Sequence, residues 1–324
     1  MNTLQSARED ETPIVRLVLG TAQLGFPYGV ANQKGQPSTE DACGIIQAAF
    51  GAGIRIFDTA QAYGESEAVL GRCFRSLGIE SQVKVISKLH PDLNCHDPSC
   101  LFKSVLASIS RLGVDSLYGL MLHRASLLSE WNKGLGQGLA ELKKRHLLTF
   151  LGVSVYTPKE ALDALAINEI DLIQAPFNIF DRRLIFAGVL DLAHQLRKQV
   201  FLRSIFLQGL ILLPFEKLPK HLSFAREPLA RLDAFCREHG LDRKEFAFDY
   251  AWQRTKDAPL VMGVESKEQI MENIHLAEVA AQNRLARNAP EGNRNCLEGA
   301  IIDAWDSLEL AISQKLINPS LWSQ

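Results

Sequence analysis

Short apolar runs alternate with longer segments in which apolar residues recur at helical spacing, almost from one end of the chain to the other. The short runs are typical of buried strands, and each ends on a glycine or a polar residue. They are IVRLVLGTA ending at Gly20 and Thr21, IRIFD at Asp58, VKVISK at Lys88, LYGLMLH at His123, TFLGVS at Ser154, DLIQA reaching Gln174, VFLRS at Arg203 and Ser204, and PLVMG at Gly263. Strands that alternate with helices at this spacing favour parallel crossovers, so the pattern predicts a (β/α)8 TIM barrel.

Capping residues predict where several of the intervening helices begin and end. Ser38 with Asp41, Thr157 with Glu160, and Ser266 with Gln269 have the spacing of a capped helix start. Asp97 followed by Pro98 marks another start, and Gly51, Gly53 and Gly113 mark ends. Further helices are predicted from periodicity alone, near Trp131–Arg145, Leu184–Lys198, Ala225–His239 and Arg243–Arg254.

The last part of the chain breaks this pattern. The stretch QNRLARNAPEGNRN, from about position 283, predicts a loop, and Leu297–Lys315 predicts one extra helix. That helix is expected either to cover the pocket as a lid or to cover the barrel wall. We therefore expect a single domain over 1–324, with a barrel core at about 15–280 and a C-terminal loop and helix at 283–324.

Composition places the chain among ordinary globular proteins. Of 324 residues, 47% are hydrophobic and 22% charged, which excludes a disordered or fibrous chain. A formal net charge of −2 supplies no basic field for nucleic acid or an anionic membrane, so the expected partner is a small molecule.

Three features predict a cytoplasmic protein. The N-terminus MNTLQSARED carries acidic residues and no apolar run, unlike a targeting peptide. No apolar window is long enough to span a bilayer. The six cysteines are scattered, which predicts reduced thiols. His90, Cys95, His96 and Cys100 share one loop, but their spacing fits no standard zinc site, and we expect no metal.

In this fold the active site lies at the carboxyl ends of the strands. Asp58, Lys88 and His123 end three successive strands, and Tyr63 follows Asp58 by five positions. A lysine and an aspartate that converge there should pair. The ammonium group of Lys88 is expected to lower the pKa of the Tyr63 phenol from its ordinary value near 10. Tyr63 is then predicted to be a general acid, with His123 binding the same substrate oxygen.

The chain resembles the aldo-keto reductase superfamily in the order of its motifs: GTAQLG, GIRIFDTAQAYGESE, VISK, LMLH, GVSVY, LIQAPFN, SIFLQGL and VMGVESKEQIMENI. The resemblance covers about Val15 to Ala280. It implies a nicotinamide cofactor across the barrel mouth and hydride transfer to a carbonyl carbon, with Tyr63 protonating the oxygen and Asp58, Lys88 and His123 completing a catalytic tetrad.

The resemblance also implies the residues that hold the cofactor. Ser154 and Gln174 match positions that bind the nicotinamide carboxamide, although Val155 stands where the family usually has Asn. Arg203 stands where the family often has an aromatic residue that stacks on the nicotinamide. The cofactor-binding residues expected in all are Gly20, Thr21, Ser154, Gln174, Arg203, Ser204, Gly263, Val264, Glu265, Ser266, Gln269 and Asn273.

The turn after the last strand bears on which cofactor is used. Gly263 allows close backbone approach, and the helix that starts at Ser266 is expected to offer free N–H groups to a phosphate. Many relatives carry basic residues here that hold the 2′-phosphate of NADP, whereas this chain has Glu265 and Gln269. NADP(H) is the expected cofactor, with unusual tolerance of NAD(H).

Two other functions fit the same residues. Lys88 at a barrel strand end could attack a carbonyl, as in a Schiff-base lyase. A barrel that binds a nucleotide but turns over poorly could serve as a regulatory subunit. The sequence selects no particular carbonyl substrate and indicates no oligomeric state.

Overall fold

The structure is a computed structural model that describes residues 13–94, 97–288 and 296–322. Eight parallel strands form a closed barrel in sequence order, with the last strand paired to the first. This confirms the predicted (β/α)8 TIM barrel. The strands are β1 Leu17–Gly20, β2 Ile56–Asp58, β3 Lys84–Lys88, β4 Leu117–Leu122, β5 Leu148–Ser154, β6 Leu172–Pro176, β7 Gln199–Arg203 and β8 Leu260–Gly263.

Buried side chains on the strands divide between two cores. Residues such as Val18 on β1 point into the barrel, while the flanking Leu17 and Leu19 belong to the core between strands and helices. The inner core consists of Val18, Ile86, Met121, Leu172, Phe201 and Val261. Because both faces of each strand are buried, the strands appear in the sequence as continuous apolar runs.

The α-helices surround the barrel and include several single-turn segments. They are α1 Ala22–Gly25, α2 Thr39–Gly51, α3 Ser66–Leu77, α4 Pro98–Leu112, α5 Leu135–Lys144, α6 Pro158–Leu165, α7 Arg183–Phe186, α8 Val189–Gln195, α9 Arg226–His239, α10 Arg243–Arg254, α11 Lys267–Asn288, α12 Cys296–Ser307 and α13 Gln314–Ile317. The predicted caps are confirmed for α2, α4 and α6. Ser38 accepts from the Asp41 N–H, Asp97 from the Ser99 N–H, and Thr157 forms a reciprocal capping box with Glu160.

Three predicted elements have different bounds. Residues Pro13–Arg16 form a 3₁₀ turn, so β1 starts later than expected. The helix expected at Trp131–Arg145 is a 3₁₀ segment, Ala125–Lys133, followed by α5, with Gly134 at φ 113° between them. The helix expected at Leu184–Lys198 is divided into α7 and α8 by Gly188, at φ 67°. A glycine in the left-handed region interrupts a helix that periodicity alone would continue.

The C-terminal prediction is wrong in two respects. Helix α11 continues to Asn288, so positions 283–288 are helical, while 289–295 lie outside the described residues. The extra helix α12 ends at Ser307 rather than Lys315, because Ser313 caps the separate helix α13. Trp305 of α12 is fully buried against Phe235 and Phe246 of α9 and α10. Helix α12 therefore covers the barrel wall and is not a lid.

The expectation of six reduced cysteines is also wrong. Cys43 of α2 and Cys73 of α3 form a disulfide with Cα atoms 5.0 Å apart, while Cys100 and Cys236 are free. Cys95 and His96 lie outside the described residues. A disulfide is unusual in a reducing compartment, so the cysteines no longer support the cytoplasmic prediction. Within the described ranges, no helix is both long and apolar enough to span a membrane.

Candidate functional site

Asp58 and Lys88 form a buried ion pair where β2 and β3 end. The Lys88 Nζ lies 2.8 Å from both Asp58 carboxylate oxygens and 2.9 Å from the Thr59 carbonyl oxygen. The Gln174 amide donates to Asp58 Oδ1 at 2.8 Å. The structure thus brings together three predicted site residues from β2, β3 and β6, and the three N–H donors of the ammonium group each have an acceptor.

A hydroxyl network supports the end of β2 from behind. The Thr21 hydroxyl donates to the Asp58 carbonyl at 2.9 Å and lies 2.8 Å from the Ser66 hydroxyl. The Thr59 hydroxyl donates to Ser66 at 3.0 Å. Thr21 is fully buried. It was predicted as a cofactor residue, but the structure places its side chain where it holds Asp58 in position.

Tyr63 is fixed by backbone packing that only glycines allow. A Cβ on Gly25 of α1 would lie 1.7 Å from the Tyr63 carbonyl oxygen, and one on Gly64 would lie 2.4 Å from the Gly25 carbonyl oxygen. Gly64 also has φ 50°. The Tyr63 ring stands 5.0 Å from Lys88 Nζ, measured to the ring centroid, and its centroid lies 5.8 Å from that of His123. The tetrad predicted from the sequence therefore gathers at one point of the barrel mouth.

The predicted pKa shift of Tyr63 has the wrong sign. Burial raises the pKa of the Tyr63 phenol above its ordinary value, and the Asp58 carboxylate raises it further. Burial also lowers the pKa of the Lys88 ammonium, although Asp58 opposes that shift. The lysine was expected to favour the phenolate, but its charge is already balanced by Asp58. Tyr63 is therefore a protonated phenol at neutral pH.

His123 is an uncharged imidazole at neutral pH. Burial, together with the positive charges of Lys88 and Arg203, lowers its pKa from 6.5 to about 4. Its Nδ1 is buried and has no hydrogen-bond partner among the described residues. Because the neutral ring retains one N–H donor, His123 can donate a hydrogen bond to an oxygen beside Tyr63.

Two tyrosines that the sequence did not single out line the same mouth. The Tyr28 hydroxyl accepts from the Gln208 amide at 3.0 Å, and burial raises its pKa to about 12. Tyr156 lies under the Arg203 guanidinium, 4.4 Å from the ring centroid. Both follow predicted strand ends, and Tyr156 does so by two positions. Their short distance from a strand end could therefore have marked them in the sequence as residues of the barrel mouth.

The two positions predicted to bind the nicotinamide lie on adjacent strands. Ser154 of β5 and Gln174 of β6 are register partners, and both are buried. Val155, which replaces the family's usual Asn, is fully buried and bonds through its backbone N–H to the Gln174 carbonyl at 2.8 Å. The Gln174 amide nitrogen is already bonded to Asp58.

The turn after β8 has fewer free backbone N–H groups than predicted. The Glu265 N–H donates to the Gln269 side chain at 2.8 Å, and the Gln269 N–H donates to the Ser266 hydroxyl at 3.4 Å. Two amide groups expected to be free for a phosphate are therefore already bonded. Gly263 is exposed and is the register partner of Gly20, while Val264 and Asn273 are buried.

Loops after β1 and β7 meet above this turn. The Val30 N–H donates to the Gln208 carbonyl at 3.0 Å, and a Cβ on Gly209 would lie 2.5 Å from the Ala31 Cβ. Since β8 lies between β1 and β7 in the barrel, this loop bridge crosses the end of β8. Three non-glycine residues of the β7 loop have positive φ: Ser204 at 64°, Leu207 at 52° and Gln208 at 56°. Such strained backbone is common at functional sites.

An ion pair, a phenol and an uncharged imidazole at the carboxyl ends of a parallel eight-stranded ring define a (β/α)8-barrel protein with a polar reaction site. The family model of the aldo/keto reductase family matches residues 16–283. The chain belongs to this family, which confirms the resemblance found in the sequence.

Similar proteins agree with this assignment. The chain is 28% identical over 166 residues to aldo-keto reductase str7 of Strobilurus tenacellus, a match that covers 50% of this chain and 48% of that one. It is 31% identical over 174 residues to an aldo-keto reductase of Mycobacterium avium, covering 52% and 53%. The chain thus spans about half the length of these curated relatives.

Solved structures show the same fold. The holo form of aldo-keto reductase AKR11C1 from Bacillus halodurans aligns with a TM-score of 0.69 at 18% identity, covering 94% of this chain and 95% of that one. The glycerol dehydrogenase AKR11B4 from Gluconobacter oxydans aligns with a TM-score of 0.60 at 20% identity, covering 85% and 93%.

Proposed function

We propose that this protein is an NAD(P)H-dependent aldo-keto reductase that converts an aldehyde or ketone to an alcohol. The observation that carries the proposal is the protonated Tyr63 phenol beside the Lys88–Asp58 ion pair and the neutral His123. A phenol and an imidazole that share one approach can both bind a carbonyl oxygen. Membership in the family supports the same reaction.

The residues present fit a nicotinamide dinucleotide. Gly20 and Gly263 stand side by side where β1 and β8 end, and a Cβ on Gly263 would collide with the Gln23 side chain at 2.3 Å. Gln23 therefore packs directly against Gly263, and Gly263 itself is exposed beside the start of α11. We propose that Ser154, Gln174 and Ser204 lie along the nicotinamide end. Gly20, Gly263, Val264, Glu265, Ser266, Gln269 and Asn273 are proposed to lie along the adenosine end. The cofactor, when bound, supplies the hydride.

The protein's own contribution is to bind, orient and protonate the carbonyl oxygen. Tyr63 donates a hydrogen bond to that oxygen and releases its proton as negative charge develops there. The raised pKa does not prevent this, because a developing alkoxide is roughly as basic as hydroxide. His123 donates to the same oxygen, while Lys88 and Asp58 keep the phenol in place.

We propose NADP(H) as the principal cofactor, with NAD(H) also accepted. Two carboxylates, Glu265 and Glu268, lie at the start of α11, and Lys34 of the β1 loop is the cation that acts on both. A carboxylate about 4 Å from a 2′-phosphate would oppose it by roughly 1–4 kcal/mol at effective dielectrics of 80 to 20. Lys34 offsets part of this repulsion.

The lyase alternative receives less support. A Schiff base requires a free amine, whereas Lys88 is 1% exposed and its ammonium donates to Asp58 and Thr59. Reaching a substrate carbon would require breaking this buried pair, which costs several kcal/mol.

Replacement of Tyr63 by Phe tests the proposed reaction. We expect Tyr63→Phe to bind NADPH as the wild type does and to lose roughly 10²–10⁴ in kcat, the usual contribution of a placed acid. NADPH oxidation with a reactive aromatic aldehyde measures kcat, and nicotinamide fluorescence measures cofactor binding. Tyr118→Phe is the matched control, because Tyr118 lies on β4 outside the proposed site and packs against Phe150. Equal turnover in Tyr63→Phe and the wild type would remove Tyr63 from the mechanism.

A further inference from the structure

Four arginines lie at or just beyond strand ends on the mouth side of the barrel, and carboxylates neutralise three of them. Arg182 pairs with Asp306 at 3.1 Å, and Arg183 pairs with Asp181 at 2.7 Å. Exposed Arg124 lies 3.9 Å from Asp92. Arg203, the last residue of β7, forms no ion pair within the described ranges. It is therefore an uncompensated positive charge at the mouth.

The surroundings of Arg203 hold its guanidinium in one orientation. One Nη donates to the Val155 carbonyl at 3.2 Å, and the other lies 3.3 Å from the Ser204 hydroxyl. Tyr156 covers one face of the group. These contacts use two of the five N–H donors of an arginine, so donors remain for a ligand. A planar fork held in this way suits a carboxylate or phosphate.

Arg203 acts on the same space as the reacting groups. Burial is the main cause of the pKa shifts of Tyr63, Lys88 and His123, and the charge of Arg203 contributes to each in the direction expected of a nearby cation. Lys88, which also acts on His123, is balanced by Asp58, and Arg124, which acts on His123 as well, lies 3.9 Å from Asp92. A ligand whose carbonyl oxygen lies at Tyr63 is therefore within the electrostatic reach of Arg203, which has no ion-pair partner among the described residues.

We propose that Arg203 is a specificity-determining residue that binds the anionic group of the substrate, so that the preferred substrates are carbonyl compounds that carry a carboxylate or phosphate. This inference rests on the proposed reductase function. It gives Arg203 a role toward substrate, where the family often has an aromatic residue that stacks on the nicotinamide.

Matched neutral and anionic aldehydes test the proposal. The full-length protein with NADPH is assayed on 4-carboxybenzaldehyde and on 4-formylbenzamide, which has the same shape without the charge. We expect Arg203→Gln to lower kcat/KM for the carboxylate about 100-fold, as for other buried charge pairs. The amide should change less than about threefold. Arg203→Lys retains the positive charge but lacks the planar guanidinium group. Its loss of kcat/KM for the carboxylate should therefore be intermediate.

Arg124→Gln is the control, because it removes an exposed arginine from a neighbouring strand end and should leave the ratio of the two substrates unchanged. The Kd of NADPH is measured for each variant by nicotinamide fluorescence. Binding of unreactive benzoate to the NADPH complex, measured by calorimetry, gives a readout that does not depend on turnover. Benzoate should bind the wild type and not Arg203→Gln.

Other outcomes separate the two proposals. An unchanged carboxylate-to-amide ratio in Arg203→Gln overturns the anion site while leaving the reductase intact. Equal losses of kcat/KM on both aldehydes, with weaker NADPH binding, would show that Arg203 binds the cofactor instead. That result would also overturn the proposed anion site. Failure of the wild type to oxidise NADPH with either aldehyde would contradict the reductase, and absence of benzoate binding would then contradict the anion site separately.

Discussion

At the scale of single residues, burial decides the charge state of the site more than the nearest neighbour does. Lys88 lies 5.0 Å from the Tyr63 ring centroid, yet the pKa of Tyr63 is raised, because burial disfavours the phenolate and Asp58 adds a negative charge. The result is a set of uncharged donors, Tyr63 and His123, beside a closed ion pair. Such a set can bind a carbonyl oxygen without first losing a proton.

The lowered pKa of His123 predicts how stability depends on pH. Between about pH 6.5 and pH 4 the unfolded chain binds a proton at this histidine, while the folded protein does not. The free energy of unfolding should therefore fall as the pH is lowered through that window. His123→Gln should show a shallower fall, measured as urea midpoints from pH 7 to pH 4. Parallel curves for the two proteins would contradict the shift.

At the scale of elements, the short helix α1 positions the loop after β2 that carries Tyr63. Its Gly25 meets the Tyr63 carbonyl, and Gly64 meets Gly25 in return. This contact joins the loop after β1 to the loop after β2 without any side chain. The position of Tyr63 thus depends on a glycine nearly forty positions earlier in the chain.

Gly25→Ala should disturb this contact. The added methyl would lie 1.7 Å from the Tyr63 carbonyl oxygen, so the loop must move. We expect a loss of roughly 1–3 kcal/mol in the free energy of unfolding, as for other overpacked sites, and a fall in kcat. Gly44→Ala, in the middle of α2 with open space around it, is the control and should stabilise by about 0.5–1 kcal/mol. A Gly25→Ala protein with normal stability and kcat would show that the contact is not required.

Features encoded locally could be predicted from the sequence. Strand ends at Asp58 and Lys88 follow from apolar runs, and the Thr157 capping box follows from spacing. The division between α7 and α8 was missed, because a glycine inside a periodic stretch does not reveal its φ. The direction of the pKa shift of Tyr63 and the hydrogen bonds within the turn at Gln269 depend on burial and packing. The spacing of residues along the sequence gives no information about either.

At the scale of the whole molecule, contacts distant in sequence close the structure. Helix α12 inserts Trp305 between α9 and α10, and its indole donates to the Ile179 carbonyl at 3.1 Å. Asp306 joins Arg182, Tyr250 and Arg254 in one polar cluster. The C-terminal segment therefore supports the β6 loop from outside the barrel.

The Cys43–Cys73 disulfide encloses β2 and the loop after it that carries Tyr63. The two cysteines are 30 residues apart, so the link should contribute roughly 3–4 kcal/mol by restricting the unfolded chain. A Cys43→Ser, Cys73→Ser variant should lose that amount in urea unfolding and should no longer respond to reductant. Cys100→Ser is the control, since this thiol is free. Equal stability of the double variant and the oxidised wild type would contradict the prediction.

The loop bridge between Val30 and Gln208 has a kinetic consequence. A dinucleotide that lies along the end of β8 must pass beneath a closed backbone hydrogen bond. Capture then takes two steps, parting of the loops followed by docking, and release requires the same parting. The observed association rate should level off at high dinucleotide concentration, at the speed with which the loops open. Exchange of spent for fresh dinucleotide would set the pace of the proposed catalytic cycle only where this opening is slower than hydride transfer.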